Sequence, residues 1–505
     1  MPTDETLVEP VETDATAAAD AAEEGATHHG VTPPRGQEGV PRSPLFEGRF
    51  GRLFRSLPAP RPPREALIAL GKAMADKAGP SADNDKIPAG YTYFGQFVDH
   101  DITFDPLSQL SRFNDPDALV DFRSPRFDLD SLYGRGPSGS PYLYEWKKKE
   151  RRGVRLLEGR NPNADENGNP LEGRDLLRNA QGRAIIGDPR NDENIIVSLL
   201  HHAFVRFHNN VVEHVAQAEP RLKGSALFDE ARRVVTWHYQ WVVVHDFLAR
   251  IAGKDLVDDL LTPAGETHLE LFDPRNDAFI PVEFSGAAYR FGHSMVRASY
   301  DLNDTVTDIP LFSAAADADR DVFGHLNGFR PLPSAWTVDW RHFTRIDGSR
   351  PQLARKIDTH LSKPLLKLPT ALDAAHTGLP VLNLRRGKAL QLPSGQAVAE
   401  AIGATPVGDL GLDRFDLSAA HRAALEAETP LWYYVLIEAE RAPRNGERLG
   451  PVGGRIVAEV LIGLLANDPQ GFLRQRPAWK PAGLRAVHAG DFTLGDLLRF
   501  GTIGQ

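Results

Sequence analysis

Periodicity is the strongest constraint on this fold. Apolar residues recur at intervals of three and four over residues 191–217, 225–252, 287–297 and 455–465, the repeat that turns one face of an α-helix toward a core. Strand signals are short and scattered, so the expected fold is mainly α with few short strands. Beyond about residue 71 no linker, low-complexity tract or internal repeat interrupts the chain, and Pro and Gly act as punctuation. A chain of 505 residues has room for roughly three domains. This uninterrupted pattern instead predicts one large domain over residues 86–505.

The first thirty residues hold eight acidic residues and no Lys or Arg, a composition that cannot bury enough surface to offset its ordering entropy. Residues 1–40 are therefore expected to form a disordered acidic tail. Residues 41–85 turn to arginine and proline, with Leu45, Phe46, Phe50, Leu53, Phe54 and Leu57 interleaved. That pattern predicts an extended arm packed on the body.

Charge and cysteine content exclude several classes. With 58 Lys+Arg against 68 Asp+Glu the net charge is -10, which leaves no electrostatic footprint for a nucleic acid. Cysteine is absent, so disulfides, thiolate metal sites, iron–sulfur clusters and thiol nucleophiles are all excluded. No apolar run approaches a membrane span, and no basic start followed by an apolar stretch marks a signal peptide. The cytoplasm is the default location expected, with export by a route independent of a signal peptide left open.

Four segments carry polar groups where apolar neighbours demand a reason for them. In "YTYFGQFVDHDITFD" a helix would put Gln96, Asp99 and His100 on one face and send Asp101 elsewhere. The two carboxylates beside His100 would then serve two different sites. In "SPRFDLDSLYG" Ser124, Asp128 and Asp130 alternate, so their oxygens can converge on a hard cation such as calcium, although such residues also start ordinary turns. In "GDPRNDENIIVSLLHHAFVRFHN" Asp188 or Asn191 is expected to cap a long helix, with Arg190 and Glu193 at or before its start. His201, His202, His208 and His214 lack the spacing of a zinc hydrolase and read as packing or surface residues. In "AAYRFGHSMVRASY" His293 follows Gly292, whose missing side chain would let a flat cofactor approach the backbone.

These segments, in this order, resemble the peroxidase–cyclooxygenase superfamily, the animal-type haem peroxidases. The resemblance covers about residues 49–472. It runs from "GRLFRSLPAP" through "FGQFVDHDITF", "FDLDSLYG", the stretch from Arg190 to Glu193, "LLHHAFVRFHN" and "YRFGHSMV" to "LNLRRGKALQLPSGQ", "PLWYYVLIEAE" and "LGPVGGRIVAEVLIGLL".

The resemblance implies a haem b enzyme that reduces hydrogen peroxide through a ferryl intermediate and oxidises small aromatic donors, halides or thiocyanate. It makes His100 the distal acid–base, Arg190 the distal arginine, and Gln96 the glutamine beside the distal water and halide position. It makes His293 the proximal iron ligand, with the side chain of Asn383 accepting a hydrogen bond from its other ring nitrogen. A neutral partner there implies little imidazolate character and an oxidising iron. Arg290 and Arg386 would approach the haem or its propionates, and Asp99 and Glu193 would form ester bonds to haem methyl groups. Asp101, Ser124, Asp128 and Asp130, with the carbonyl of Arg126, would bind calcium, and the extra charge of Asp130 should not harm that site.

Two departures from the family qualify this. Asn194 stands where one mammalian member has a methionine linked to haem, so no sulfonium bond is expected. The secreted animal enzymes are disulfide-bonded and this chain cannot be, which marks it as a bacterial-type member.

Three alternatives compete. A fatty-acid dioxygenase of the same superfamily needs a tyrosine three residues before the proximal histidine, where this chain has Arg290. Tyr289 lies one residue further back, about 100 degrees round a helix. A non-catalytic haem- or calcium-binding module would not need every catalytic residue type. A metal-dependent hydrolase built on Asp99, His100 and Asp101 leaves Arg190, His293 and Asn383 without a use.

Overall fold

The computed structural model describes residues 48–75, 82–104, 119–147, 149–159, 175–274, 278–312, 324–368, 378–484 and 492–502. The expected acidic tail, and the arm before residue 48, lie outside them. Eight helices organise the body: α1 (Arg64–Ala73), α2 (Gly90–Ile102), α3 (Ile195–Ala218), α4 (Gly224–Trp241), α5 (Leu379–Ala389), α6 (Leu431–Glu440), α7 (Pro451–Asn467) and α8 (Leu494–Thr502). Other described helices, Ala419–Ala427 among them, and turns join them. No helix among the described residues is long and apolar enough to cross a membrane.

Among the described residues the strands are few and short. β1 (Gly48–Gly51), β3 (Val120–Asp121) and β4 (Ile280–Pro281) form a three-stranded sheet in the order β3–β1–β4. Gly48 pairs with Asp121 in the antiparallel half, and Phe50 with Ile280 in the parallel half. β2 (Asp83–Pro88) pairs antiparallel with β7 (Leu353–Arg355), and β5 (Ser299–Tyr300) with β6 (Ile309–Pro310). The mainly α expectation therefore holds.

Past residue 48, the arm fastens to the body through its backbone. The amides of Leu53 and Phe54 donate to the buried carboxylate of Glu283, and Arg52 donates to the carbonyls of Leu390 and Gln391. Phe50, Leu67 and Leu70 are buried.

Three of the four periodic segments form helices where expected, with shifted ends. The segment at 191–217 begins late, at Ile195, because Pro189–Asp192 forms a separate 3-10 turn. Asp188 caps that turn by accepting from the Arg190 amide, and Asn194 caps α3 by accepting from the Ile196 amide. Neither Asp188 nor Asn191 caps the long helix, contrary to expectation. The segment at 225–252 is α4, continued by a π-helical stretch over Val242–Leu248. That stretch places Asp246 where it accepts from the Tyr91 hydroxyl at 2.6 Å, the Leu494 amide at 2.8 Å and Arg250 Nε at 2.7 Å. One carboxylate thus ties the first turn of α2 to the start of α8.

The fourth segment corrects the sequence reading. Residues 288–295 form a 3-10 turn rather than an α-helix. The carbonyl of Arg290, which an α-helix would pair with an amide four residues on, accepts instead from the indole Nε1 of Trp432 on α6. Helix α2 meets a tight constraint at its start, where a Cβ on Gly90 would stand 2.6 Å from the carbonyl oxygen of Phe343. Only glycine lets the helix begin so close to that backbone.

Candidate active site and cation cluster

Helix α2 and the turn at 189–192 build one side of the site. Gln96 and His100, one turn apart, both reach Glu193. Gln96 Nε2 donates to Glu193 Oε1 at 2.5 Å, and His100 Nε2 lies 3.8 Å from the same oxygen. Asp99 is on this stretch too and accepts from the Thr103 hydroxyl at 3.1 Å. Asp101 points away to another cluster, as its place on a helix requires.

His100 is buried and directional. Its Nδ1 lies 2.8 Å from Asn191 Oδ1, and Asn191 Nδ2 lies 3.0 Å from Nδ1 of His201. The amide oxygen can only accept, so Nδ1 of His100 carries the proton and Nε2 has a free lone pair. Burial, then Arg190, pull the His100 pKa below its ordinary value, against the opposing charges of Glu193, Asp188 and Asp99. The imidazole is a neutral base near pH 7.

Arg190 is held from behind. Its Nη2 donates to the carbonyls of His100 and Thr103 at 3.0 and 2.6 Å and to Asp188, and its guanidinium lies 4.5 Å over the Phe104 ring. Nη1 has no hydrogen-bond partner among the described residues. Burial alone would raise the Asp188 pKa, but Arg123 and Arg190 outweigh it and hold the carboxyl far below the usual range. Asp188 is thus a fixed negative charge that anchors both arginines.

The opposite side is the 3-10 turn with α5. His293 Nδ1 lies 2.8 Å from Asn383 Nδ2, and Arg290 Nη1 donates to Asn383 Oδ1 at 3.3 Å. This reverses the expected bond. Arginine can only donate, so it claims the amide oxygen and turns the amide nitrogen toward the ring. Nδ1 of His293 accepts, and the ring proton sits on Nε2, which has no partner among the described residues. Burial, then Arg290, pull the His293 pKa down to about 3, against Glu193. The charge of Glu193 is therefore felt by both imidazoles.

Between the two sides the packing opens. Gln96, Asp99, Glu193, Arg290, Gly292, His293 and Arg386 are only half-buried, whereas Phe97, Val98, Ser294 and Met295 beside them are buried. A Cβ on Gly292 would meet no atom within 4 Å. Tyr289 does not share this freedom: its hydroxyl donates to the Gly95 carbonyl at 3.2 Å and its ring stacks on Phe284.

A second cluster lies behind His100. Asp101, Asp128 and Asp130 offer oxygens that all lie within 4.8 Å of one another. Ser124 Oγ donates to Asp128 at 2.7 Å, and Arg126 is tied back through its amide to the Ser124 carbonyl at 2.8 Å. Leu129 takes a left-handed conformation, φ 57, which turns Asp128 and Asp130 toward the same point. Asp101 Oδ1 is buried with no partner. Burial, then Asp128 and Asp130, raise the Asp101 pKa, and burial is also the first cause that lifts Asp130 to about 7. Arg123 donates to Asp130 at 3.1 Å, so the extra charge of Asp130 is already partly balanced.

Sequence reasoning missed Asn191 and His201, read as a cap and as packing. Their meeting depends on the 3-10 turn, which leaves no periodic signal. His208 and Asn209 do serve structure: His208 bridges the Tyr133 hydroxyl and the Val154 carbonyl, and Asn209 brackets the backbone of Leu156.

Comparison with known proteins places this arrangement. The animal haem peroxidase family matches residues 116–409. A peroxidase-like protein of Margaritifera margaritifera is 28% identical over 274 residues, 44% of this chain and 33% of that protein. The chorion peroxidase of Drosophila melanogaster is 26% identical over 304 residues, 56% of this chain and 34% of that one. The chain thus spans about a third of the length of these curated relatives. Among solved structures, peroxidase A from Dictyostelium discoideum superposes with a TM-score of 0.57 at 15% identity, covering 85% of this chain and 90% of that one. The Oryza sativa fatty acid alpha-dioxygenase gives 0.53 at 13%, covering 87% and 76%. At these identities the structures speak to the fold alone.

Proposed function

This chain belongs to the animal haem peroxidase family, and from that premise we propose that it is a haem-dependent peroxidase, reducing hydrogen peroxide at the expense of small aromatic donors, halides or thiocyanate. One observation carries the reading: two neutral imidazoles, His100 and His293, feel the same carboxylate, Glu193, across a half-open gap. The residues present suit a haem. His293 offers an Nε2 without a partner among the described residues, Gly292 leaves the backbone open beside it, and Arg290 and Arg386 supply cations for propionates.

His293 Nε2 would hold a haem iron, and that group, when bound, would supply the electrons for cleavage of the peroxide O–O bond. His100 has the tautomer this needs. Its Nε2 takes a proton from one peroxide oxygen and returns it to the other, which leaves as water. Arg190 presents a fixed positive charge where negative charge develops, pre-organised by Asp188 and two carbonyls. Gln96 fixes the orientation of Glu193 beside His100. At His293 the Nε2 proton must leave on metal binding. Either Asn383 then reverses its amide, or the ligand takes on imidazolate character.

Asp99 and Glu193 are the carboxylates suited to ester bonds with porphyrin methyl groups, since both are half-buried at the gap. Asp101, Ser124, Asp128, Asp130 and the Arg126 carbonyl suit calcium. Three crowded carboxyls and the unpartnered Asp101 Oδ1 support that assignment. The bound ion would hold the residue next to His100.

The test pairs a spectrum with two assays. A ferric haem band that stays with the polypeptide in acid acetone, together with peroxide-dependent oxidation of a small phenol, supports the proposal. Oxygen uptake with a polyunsaturated fatty acid and no phenol oxidation would replace it with the dioxygenase reading. Absence of haem in folded protein would end both.

A further inference from the structure

We infer that His201, which touches no part of the gap, is a positioning residue that fixes the Asn191 amide and through it the tautomer of His100. The inference rests on the peroxidase reading for its use, but on geometry for its substance. An asparagine amide has a donating end and an accepting end. Here it bridges two ring nitrogens, His100 Nδ1 at 2.8 Å and His201 Nδ1 at 3.0 Å. All three side chains are buried, at 5% exposure for His100, 0% for Asn191 and 1% for His201, so no bulk water stands in for a missing partner.

Reversing the amide is the relevant alternative. With Nδ2 toward His100, that ring would have to accept at Nδ1, carry its proton on Nε2, and lose the lone pair the chemistry needs. Nothing in asparagine itself chooses between the two orientations. His201 chooses, because its Nδ1 is held as an acceptor. Burial pulls the His201 pKa down to about 4 against the charge of Asp188, so the ring stays neutral with a single proton. That proton has a place on Nε2. The ring lines a cavity of about 20 Å³ walled by Leu132, Leu143, Leu156, Ile185 and Val205 among others, a volume that matches a single water molecule. The ring also packs edge-on against Phe97, one turn before His100 on α2, so amide and base are oriented from one element.

Two replacements separate this role from packing. Phe in place of His201 keeps a ring against Phe97 with no nitrogen to accept from Asn191, and Leu removes the ring as well. A second device removes dependence on the lock: Asn191→Asp has only accepting oxygens at neutral pH, so it holds the His100 Nδ1 proton whatever stands at 201. The experiment uses the full-length haem-loaded protein, 15N-labelled at histidine, in its diamagnetic ferrous carbonyl form. The His100 ring signals are identified by their loss in His100→Gln. Wild type is expected to show a protonated Nδ1 and a bare Nε2. His201→Phe and His201→Leu should both shift the proton toward Nε2 and slow peroxide cleavage by on the order of tenfold or more, whereas a packing role alone would leave His201→Phe like wild type. Asn191→Asp combined with His201→Leu should restore the wild-type ring signature.

A wild-type His100 tautomer in folded His201→Leu overturns the inference. So does failure of the double variant, if folded, to restore the signature. If His201→Leu does not fold, His201→Phe, alone and combined with Asn191→Asp, decides the matter through the same ring signals, and a wild-type His100 tautomer in folded His201→Phe overturns the inference. Should His100→Gln leave peroxide cleavage intact, the peroxidase reading falls instead, and the ring signatures still test the amide lock by themselves.

Discussion

Glu193 Oε1 lies 3.8 Å from Nε2 of His100 and receives the side-chain amide of Gln96 at 2.5 Å. A carboxylate this close to a base raises the base's proton affinity, yet burial and Arg190 prevail and the imidazole remains neutral. The site is therefore poised between two opposing charges, and its chemistry should respond to the removal of either imidazole or carboxylate.

Replacing His100 with Gln removes the basic Nε2 lone pair 3.8 Å from Glu193. Peroxide cleavage is expected to slow about 10²- to 10⁴-fold, with haem content unchanged. Stopped-flow mixing with hydrogen peroxide measures it, and an unchanged rate would exclude His100 as the acid–base.

Covalent attachment should depend on Asp99 and Glu193 separately. Each single substitution, Asp99→Asn or Glu193→Gln, should leave the pigment attached through one bond, and the double substitution should release it into acid acetone. Pigment that leaves the wild-type protein freely would remove both residues from this role.

At Asn383 the predicted readout is a potential. Asp in its place can only accept, so it draws the His293 ring proton to Nδ1 and deepens the anionic character of a metal ligand at Nε2. The iron midpoint potential of Asn383→Asp should fall relative to wild type in a spectroelectrochemical titration. An equal potential would mean the amide does not govern the ligand.

The acidic cluster predicts an unusual pH response in chelator-treated protein. A carboxyl whose pKa rises on folding keeps a proton that the unfolded chain has released. Its stability contribution therefore declines as pH rises from the unfolded value, about 3.9, through the folded one. Asp101, Asp128 and Asp130 are all shifted upward, chiefly by burial, Asp130 to about 7. Melting temperature without calcium should contain a component that drops between about pH 4 and 7. Calcium should raise it more at pH 8 than at pH 5, with roughly 2.7 kcal/mol available at a hundredfold excess over Kd. An equal rise at both pH values would argue against these carboxylates as ligands.

Much of this was legible because burial leaves a periodic trace. Helix α3 shows one apolar face, and the divergence of His100 and Asp101 follows from adjacency on a helix. What stayed hidden depends on partners distant in the chain. The turn at 288–295 departs from α geometry where Trp432, 142 residues from Arg290, takes its carbonyl. Helix α6 is apolar on all sides, so no amphipathic stripe announces it. The polarity of Asn383 was misread because it is decided by Arg290, and an amide's orientation has no signature in its own position.

The carboxylate of Asp246 gives the molecule a further property. It grips the Tyr91 hydroxyl and the Leu494 amide at once, so the segment that presents His100 shares an anchor with α8. Displacement of α8 would be transmitted to the opening turn of α2 without touching the gap at all.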